Sequence, residues 1–306
     1  MMFFKLSRSS KVDHILLVSL SNIGDVVMTF PVVDALGAFF PRARLEVIVG
    51  PKAASFFCSN PHIDRTIPFD KHMSWRQALA WLAAMRRSRY DLVVDLRNSS
   101  LPFLLRARTV TRPAFSSAPM HMKDKHLTRL GLILEGLKPP YPRRALVLSQ
   151  DDRKVVEGYL GGCKDYVAVA PGAADERKRW SEAGFARLIE YFHGRGKAVV
   201  LVGDGQDAAT ARRLMTGNPG GVLDLCGKTS LVELAGVLEG AALALTNDSG
   251  IMHLASYLDR PIVALFGPTD PFYYGPWSSA CAVVRQGASM AQISPQDVIA
   301  ATERFL

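Results

Sequence analysis

Short unbroken apolar runs alternate with longer stretches whose apolar positions recur every three or four residues. His14–Leu20 reads as a buried strand. After the loop Ser21-Asn22-Ile23-Gly24-Asp25, the apolar positions Val26, Val27, Phe30, Val33, Leu36 and Phe40 have helical spacing. Leu45–Val49 predicts the next strand, closed by Gly50-Pro51. Ala78–Met85 predicts a helix and Leu92–Leu96 a further strand. Beyond the proline-rich stretch Leu137–Pro142, which suits a strand entry or the approach to a linker, a second series begins. Its strands are Tyr166–Ala170, Ala198–Val202, Ala241–Leu245 and Pro261–Gly267, and its helices are Phe185–Phe192 and Leu231–Leu238. The tail, Ile293–Leu306, predicts a helix opened by Ser294-Pro295. Apolar strands without alternation, separated by helices, imply parallel sheets covered on both faces. Two such series predict two open α/β domains with a cleft between them. In such sheets ligands bind beyond the carboxyl ends of the strands, so chemistry belongs in the strand-end loops.

Length agrees with this division: 306 residues exceed one typical domain, and 48% hydrophobic content supports a core in each half. Cys58, Cys163, Cys226 and Cys281 are scattered without a C-x-x-C spacing, which argues against a zinc site or disulfide framework. Ile15–Leu20 is too short for a signal-peptide core, and no apolar run is long enough to span a membrane. The expectation is a soluble cytoplasmic protein. Charge adds an asymmetry. Residues 1–150 hold 22 Lys+Arg against 10 Asp+Glu, a net +12, whereas residues 151–306 hold 15 against 18, a net −3. A basic first half implies an anionic partner: nucleic acid, an anionic lipid surface or a phosphorylated substrate.

Four strand-end loops hold candidate chemistry. In Thr246-Asn247-Asp248-Ser249-Gly250-Ile251, a strand turns directly into a helix. Unpaired N–H groups and the positive end of the helix dipole then converge on one point suited to phosphate, although Asp248 also reads as a simple N-cap. Asp25, where the first helix begins, is either a cap or a general base. The loop lacks G-x-G-x-x-G, which disfavours a dinucleotide site. Pro171-Gly172 is followed by Arg177-Lys178-Arg179, a solvated run or a phosphate-holding lysine. Gly203-Asp204-Gly205-Gln206-Asp207 is a glycine turn or an acceptor of ribose hydroxyls. His253 reads as a packed histidine, and none of the aromatic residues suggests base stacking on nucleic acid.

Together these residues resemble glycosyltransferase family 9, the ADP-heptose:lipopolysaccharide heptosyltransferases. The resemblance rests on Ile15–Val18 through Gly24-Asp25-Val26-Val27, on Pro171-Gly172 with Lys178-Arg179-Trp180, and on Thr229-Ser230-Leu231. The densest block runs from Asn247-Asp248-Ser249-Gly250 through Met252-His253-Leu254-Ala255 to Leu265–Pro271. It implies a GT-B fold: an acceptor-binding Rossmann-like domain over 1–160, a nucleotide-sugar domain over 161–290, and a terminal helix over 291–306 crossing back to the first. It implies inverting transfer of heptose from ADP-heptose to the inner core of lipopolysaccharide at the anionic inner-membrane surface, with no nucleic acid involved. Asp25 is then the base and Lys178 the lysine at the donor phosphate. Asp248, Ser249, Gly250 and Ile251 grip the sugar and diphosphate, and Thr229, Gly172 and His253 complete the donor side. Asp207 falls where some members carry a ribose-binding Glu, and Ser181 stands where a Pro is common. Asn22 and Gly24 lie on the acceptor side. No cofactor is implied, and no carboxylate pair is spaced for an essential divalent metal. A family transferase using another sugar or acceptor, and a non-catalytic saccharide- or lipid-binding protein of the same fold, are the rival readings.

Overall fold

The buried run His14–Val18 is β1, the central strand of the first sheet. It is followed by α1 (Ile23–Phe39), β2 (Arg44–Val49), α2 (Ser55–Cys58), β3 (Arg65–Pro68), α3 (Trp75–Met85), β4 (Tyr90–Asp95), α4 (Leu101–Leu104), β5 (Ala107–Val110) and α5 (Met122–Gly131). The computed structural model describes residues 5–111, 118–217 and 220–306. The chain divides into two units, Met1–Val147 and Leu148–Leu306. In the first unit, five parallel strands take the order β3-β2-β1-β4-β5. The order reverses direction between β1 and β4, where Val18 lies opposite Asp95. α1 is buried on nearly all sides because it lies on the sheet and is covered by α5.

The second unit runs α6 (Gln150–Leu160), β6 (Tyr166–Ala170), α7 (Glu182–Gly194), β7 (Ala198–Leu201), α8 (Ala208–Gly217), β8 (Val222–Asp224) and α9 (Leu231–Gly240). Then come β9 (Leu243–Asn247), α10 (Gly250–Tyr257), β10 (Ile262–Leu265), α11 (Pro271–Tyr274), β11 (Cys281–Val284) and α12 (Pro295–Thr302). Six parallel strands are ordered β11-β10-β9-β6-β7-β8, so the reversal falls between β6 and β9. The core is fully apolar where Val167, Val169, Leu243, Leu245, Val263 and Leu265 meet Phe185, Leu188 and Phe192 of α7. This is the two-unit α/β fold that the sequence predicts.

The division at Val147 comes earlier than residue 160 because α6 packs on α9. A side chain at Gly236 would stand 2.7–2.8 Å from Leu148 and Val156, so glycine is what lets α6 approach. Ser149 opens α6 with a capping box to Asp152. At the other end, α12 packs on α7 and β11, with Val298 buried in the second unit's core. The strand expected at Ala241–Leu245 is shifted to Leu243–Asn247. Its last residues pair with both neighbours, Thr246 opposite Ala170 of β6 and Asn247 opposite Leu265 of β10. Asn247 is thereby strand rather than turn.

Candidate active site

At the switch point of the second sheet, the loops leaving β6 and β9 lie side by side. Asn247 ends β9 with its side chain fully buried. A buried amide must find partners, and this one does so across the loop after β6. Its Nδ2 donates to Pro171 O (2.8 Å) and Gly172 O (3.3 Å), and its Oδ1 accepts from the Trp180 backbone N–H (3.2 Å). Trp180 in turn is buried against Phe185, and its ring N–H donates to Ile293 O at 3.0 Å. The segment 171–180 is therefore pinned at both ends. Between the pins, Asp175 caps a 3-10 turn over Glu176–Lys178. Hydrogen bonds from Arg177 hold the Asp175 carboxyl down to about 2.

That turn carries Lys178 to Asp248, where Nζ stands 2.7 Å from Oδ2. Asp248 is buried and Lys178 keeps a partly exposed side chain. Ser249 follows as the N-cap of α10 but makes no side-chain cap, and its buried Oγ has no hydrogen-bond partner among the described residues. The first-turn N–H groups of Gly250 and Ile251 lack intrahelical acceptors by the geometry of any helix start. A lysine, an orphaned hydroxyl and a helix N-terminus thus converge on one point, an arrangement that attracts an anion.

The row of loops continues along the sheet. Arg179 Nε donates to Ala173 O at 2.7 Å, and its Nη2 lies 3.8 Å from Asp207 Oδ1. Asp207 is buried against Gly172, leaving no room there for a side chain, and burial raises its pKa. Its Oδ2 accepts from Asp204 N at 3.1 Å. Gly227 N then donates to Gly203 O at 3.0 Å, joining the β7 and β8 loops just before Thr229. Asp248, Ser249, Gly250, Ile251, Lys178, Gly172, Asp207 and Thr229 accordingly belong to one tier of four consecutive strand ends. His253 is buried one turn along α10 and stacks on Trp277, ring centroids 5.6 Å apart.

In the first unit, the loop after β1 turns into α1 with Asn22 as N-cap. Asn22 Nδ2 donates to Asp25 Oδ2 at 2.9 Å, and Asp25 is half-buried in the helix's first turn. Gly24 lies between them. Gly50 sets the loop's path: a Cβ there would stand 2.5 Å from Ser21 O and 2.6 Å from Ser21 Cα. The neighbouring strand end holds buried Asp95, which accepts from Arg97 N, Ser99 N and Ser99 Oγ. On α5, Arg129 and His126 are buried, with nitrogens that have no hydrogen-bond partner among the described residues. Burial, with the Arg129 and Lys125 charges, drives the His126 pKa down to about 4.

The reading of the sequence missed Asn247 as a clamp, Gly50, and the Arg129–His126 pair. A signal existed only for the first, as an amide side chain closing a strand that opens on an apolar run. Among the described residues, no three His, Cys, Asp or Glu side chains are grouped to hold a metal ion, and no helix is long and apolar enough to cross a membrane.

Residues 119–299 match the family model described as glycosyltransferase family 9 (heptosyltransferase). Lipopolysaccharide heptosyltransferase 3 of Escherichia coli K12 is 26% identical over 92% of this chain and 95% of its own. Among solved structures, E. coli ADP-heptose lps heptosyltransferase II superposes with a TM-score of 0.82 at 22% identity, covering 95% of this chain and 98% of that one. E. coli heptosyltransferase WaaC with ADP gives 0.79 at 21% identity, covering 96% and 100%.

Proposed function

The chain belongs to glycosyltransferase family 9 and is a glycosyltransferase, and from that premise we propose that it transfers heptose from ADP-heptose to the inner core of lipopolysaccharide, with inversion. The observation that carries this reading is the Lys178–Asp248 pair at the start of α10, beside the orphaned Ser249 hydroxyl. That tier holds the donor. Lys178 and the N–H groups of Gly250 and Ile251 meet the negative charge that builds on the departing ADP, while Ser249 faces the diphosphate and Asp248 the sugar. Gly172 and Thr229 line the same tier, and His253 braces α10 through Trp277. The ribose is assigned to Asp207, whose burial makes it a fixed acceptor rather than a mobile one.

Asp25 is the general base. It takes the proton from the acceptor hydroxyl as that oxygen attacks the anomeric carbon and the bond to the diphosphate breaks. Asn22 orients the carboxylate through its 2.9 Å hydrogen bond, and Gly24 is assigned to the acceptor side. The basic first unit faces a phosphorylated acceptor at the cytoplasmic surface of the inner membrane. Lys178 and the helix amides do what a divalent cation does in other transferases, so no cofactor is needed. The similarity to lipopolysaccharide heptosyltransferase 3 along most of the chain supports this donor and acceptor.

The test is ADP release with a panel of ADP- and UDP-sugars on truncated lipopolysaccharide acceptors, with and without EDTA. ADP-heptose should turn over selectively, and EDTA should leave the rate unchanged. Turnover of another nucleotide sugar alone would move the assignment to a different donor.

A further inference from the structure

The positive charge of the first unit is concentrated in one stretch. Residues 71–123 contain ten Lys and Arg but only two acidic residues, Asp91 and Asp95. Both are tied into the fold, and of the ten cations Lys123 is paired with Asp124 at 2.6 Å. Asp91 Oδ2 accepts from the Asp13 and His14 backbone N–H groups, and Asp95 is buried in its strand-end turn. Asp70, just before the stretch, caps its own turn at His72 N.

The same stretch exposes large apolar side chains. Trp75 is 68% exposed, Leu79 58%, Phe103 59% and Leu104 45%. Trp75 and Leu79 are four residues apart, so they share the outer side of α3. The inner side of α3 is already committed, since Trp81, Leu82 and Met85 pack on Leu16, Val18, Ile48 and Val93. Leu101 and Leu105, at the two ends of α4, join that same cluster. Both helices therefore cover one face of the sheet and turn their remaining apolar side chains outward from it. Arg76 lies over the Trp75 ring, 5.3 Å from its centroid, and Arg86 is exposed on the same side of α3.

We propose that the outer faces of α3 and α4 dock this protein on an anionic phospholipid surface. Trp75, Leu79, Phe103 and Leu104 enter the headgroup layer, and the neighbouring arginines meet lipid phosphates. Charge complementarity selects this occupant: a predominantly basic surface bearing Trp and Leu is the pattern of an interfacial helix. The surface deepens the membrane-partner part of the proposed function and rests on it for its purpose alone, because docking requires neither donor nor acceptor.

The experiment uses the full chain and vesicles without lipopolysaccharide, either phosphatidylglycerol with phosphatidylethanolamine or phosphatidylcholine alone. Wild type should co-sediment with the anionic vesicles and not with phosphatidylcholine. Its tryptophan emission should shift to the blue, and the Trp75→Phe variant should lack that shift. W75S/L79S/F103S should lose roughly tenfold or more in partitioning, yet transfer sugar to a deacylated, soluble acceptor at the wild-type rate. If the triple variant misfolds, Leu79→Ser alone carries the partitioning comparison. Equal partitioning of wild type and variants overturns the proposal. So does a variant that loses only self-association, which would assign the face to a protein partner. A chain that binds vesicles through this face but never turns over ADP-heptose would refute the ADP-heptose assignment and leave the surface standing.

Discussion

Asp25 Oδ2 is held by Asn22, while Oδ1 has no protein partner among the described residues. A carboxylate oriented by one oxygen and open at the other is suited to accept a proton. Asp25→Asn should lower kcat/KM by ~10²–10⁴-fold while ADP affinity, measured by calorimetry, stays within about twofold. A collapse of ADP binding in that variant would contradict the assignment. His126 makes a separate prediction about stability. Its pKa is lowered from 6.5 to about 4, first by burial and then by Arg129 and Lys125. Between those values the unfolded chain binds a proton that the folded chain refuses. Stability is therefore intact above pH 6.5 and falls as pH drops toward 4, by about 3 kcal/mol in total. Melting temperatures of wild type and His126→Leu across this window should diverge, with the variant showing the shallower decline.

At the scale of elements, Asn247 converts the end of one strand into a tie for its neighbour's loop. Asn247→Leu leaves two carbonyls and an N–H unpaired in the interior, which costs about 2–3 kcal/mol. It should also raise KM for the donor by loosening the Lys178 turn. A variant with wild-type KM and melting temperature would show that Trp180 alone suffices as anchor. The same scale explains what the sequence disclosed. The interior strands β1, β2, β4, β6, β7, β9 and β10 are covered on both faces and read as continuous apolar runs. The four strands that escaped notice, β3, β5, β8 and β11, are the four sheet edges. Their segments Arg-Thr-Ile-Pro, Ala-Arg-Thr-Val, Val-Leu-Asp and Cys-Ala-Val-Val are partly exposed and too short or too polar to stand out. Of the proposed site, Asp25, Lys178 and Asp248 stand out in the sequence because each follows an interior strand. Gly50 and Asn247 act through space on a loop from another strand, and no spacing along the chain encodes that.

Across the whole molecule, charge and fold divide together. The +12 of residues 1–150 falls in the first unit and the −3 of residues 151–306 in the second. On the proposed function, binding of an anionic acceptor draws on the first charge, whereas the diphosphate is met by local hydrogen bonds and one lysine. Raising ionic strength should weaken acceptor binding steeply and ADP binding much less, as titrations of each ligand over a salt series would show. Equal salt sensitivity would mean that the charge division has no part in recognition.

The contact between Lys178 and Asp248 has a consequence for the end of the reaction cycle. An empty site with a bare lysine would hold its product tightly, because nothing else would neutralise the ammonium. On the proposed placement of the donor, Asp248 is a resident surrogate for the leaving group, so ADP competes with an anion that never departs. The lysine changes partners instead of losing one, which lowers the barrier to product escape. Asp248→Asn should then bind ADP more tightly and show stronger product inhibition, even as its turnover falls.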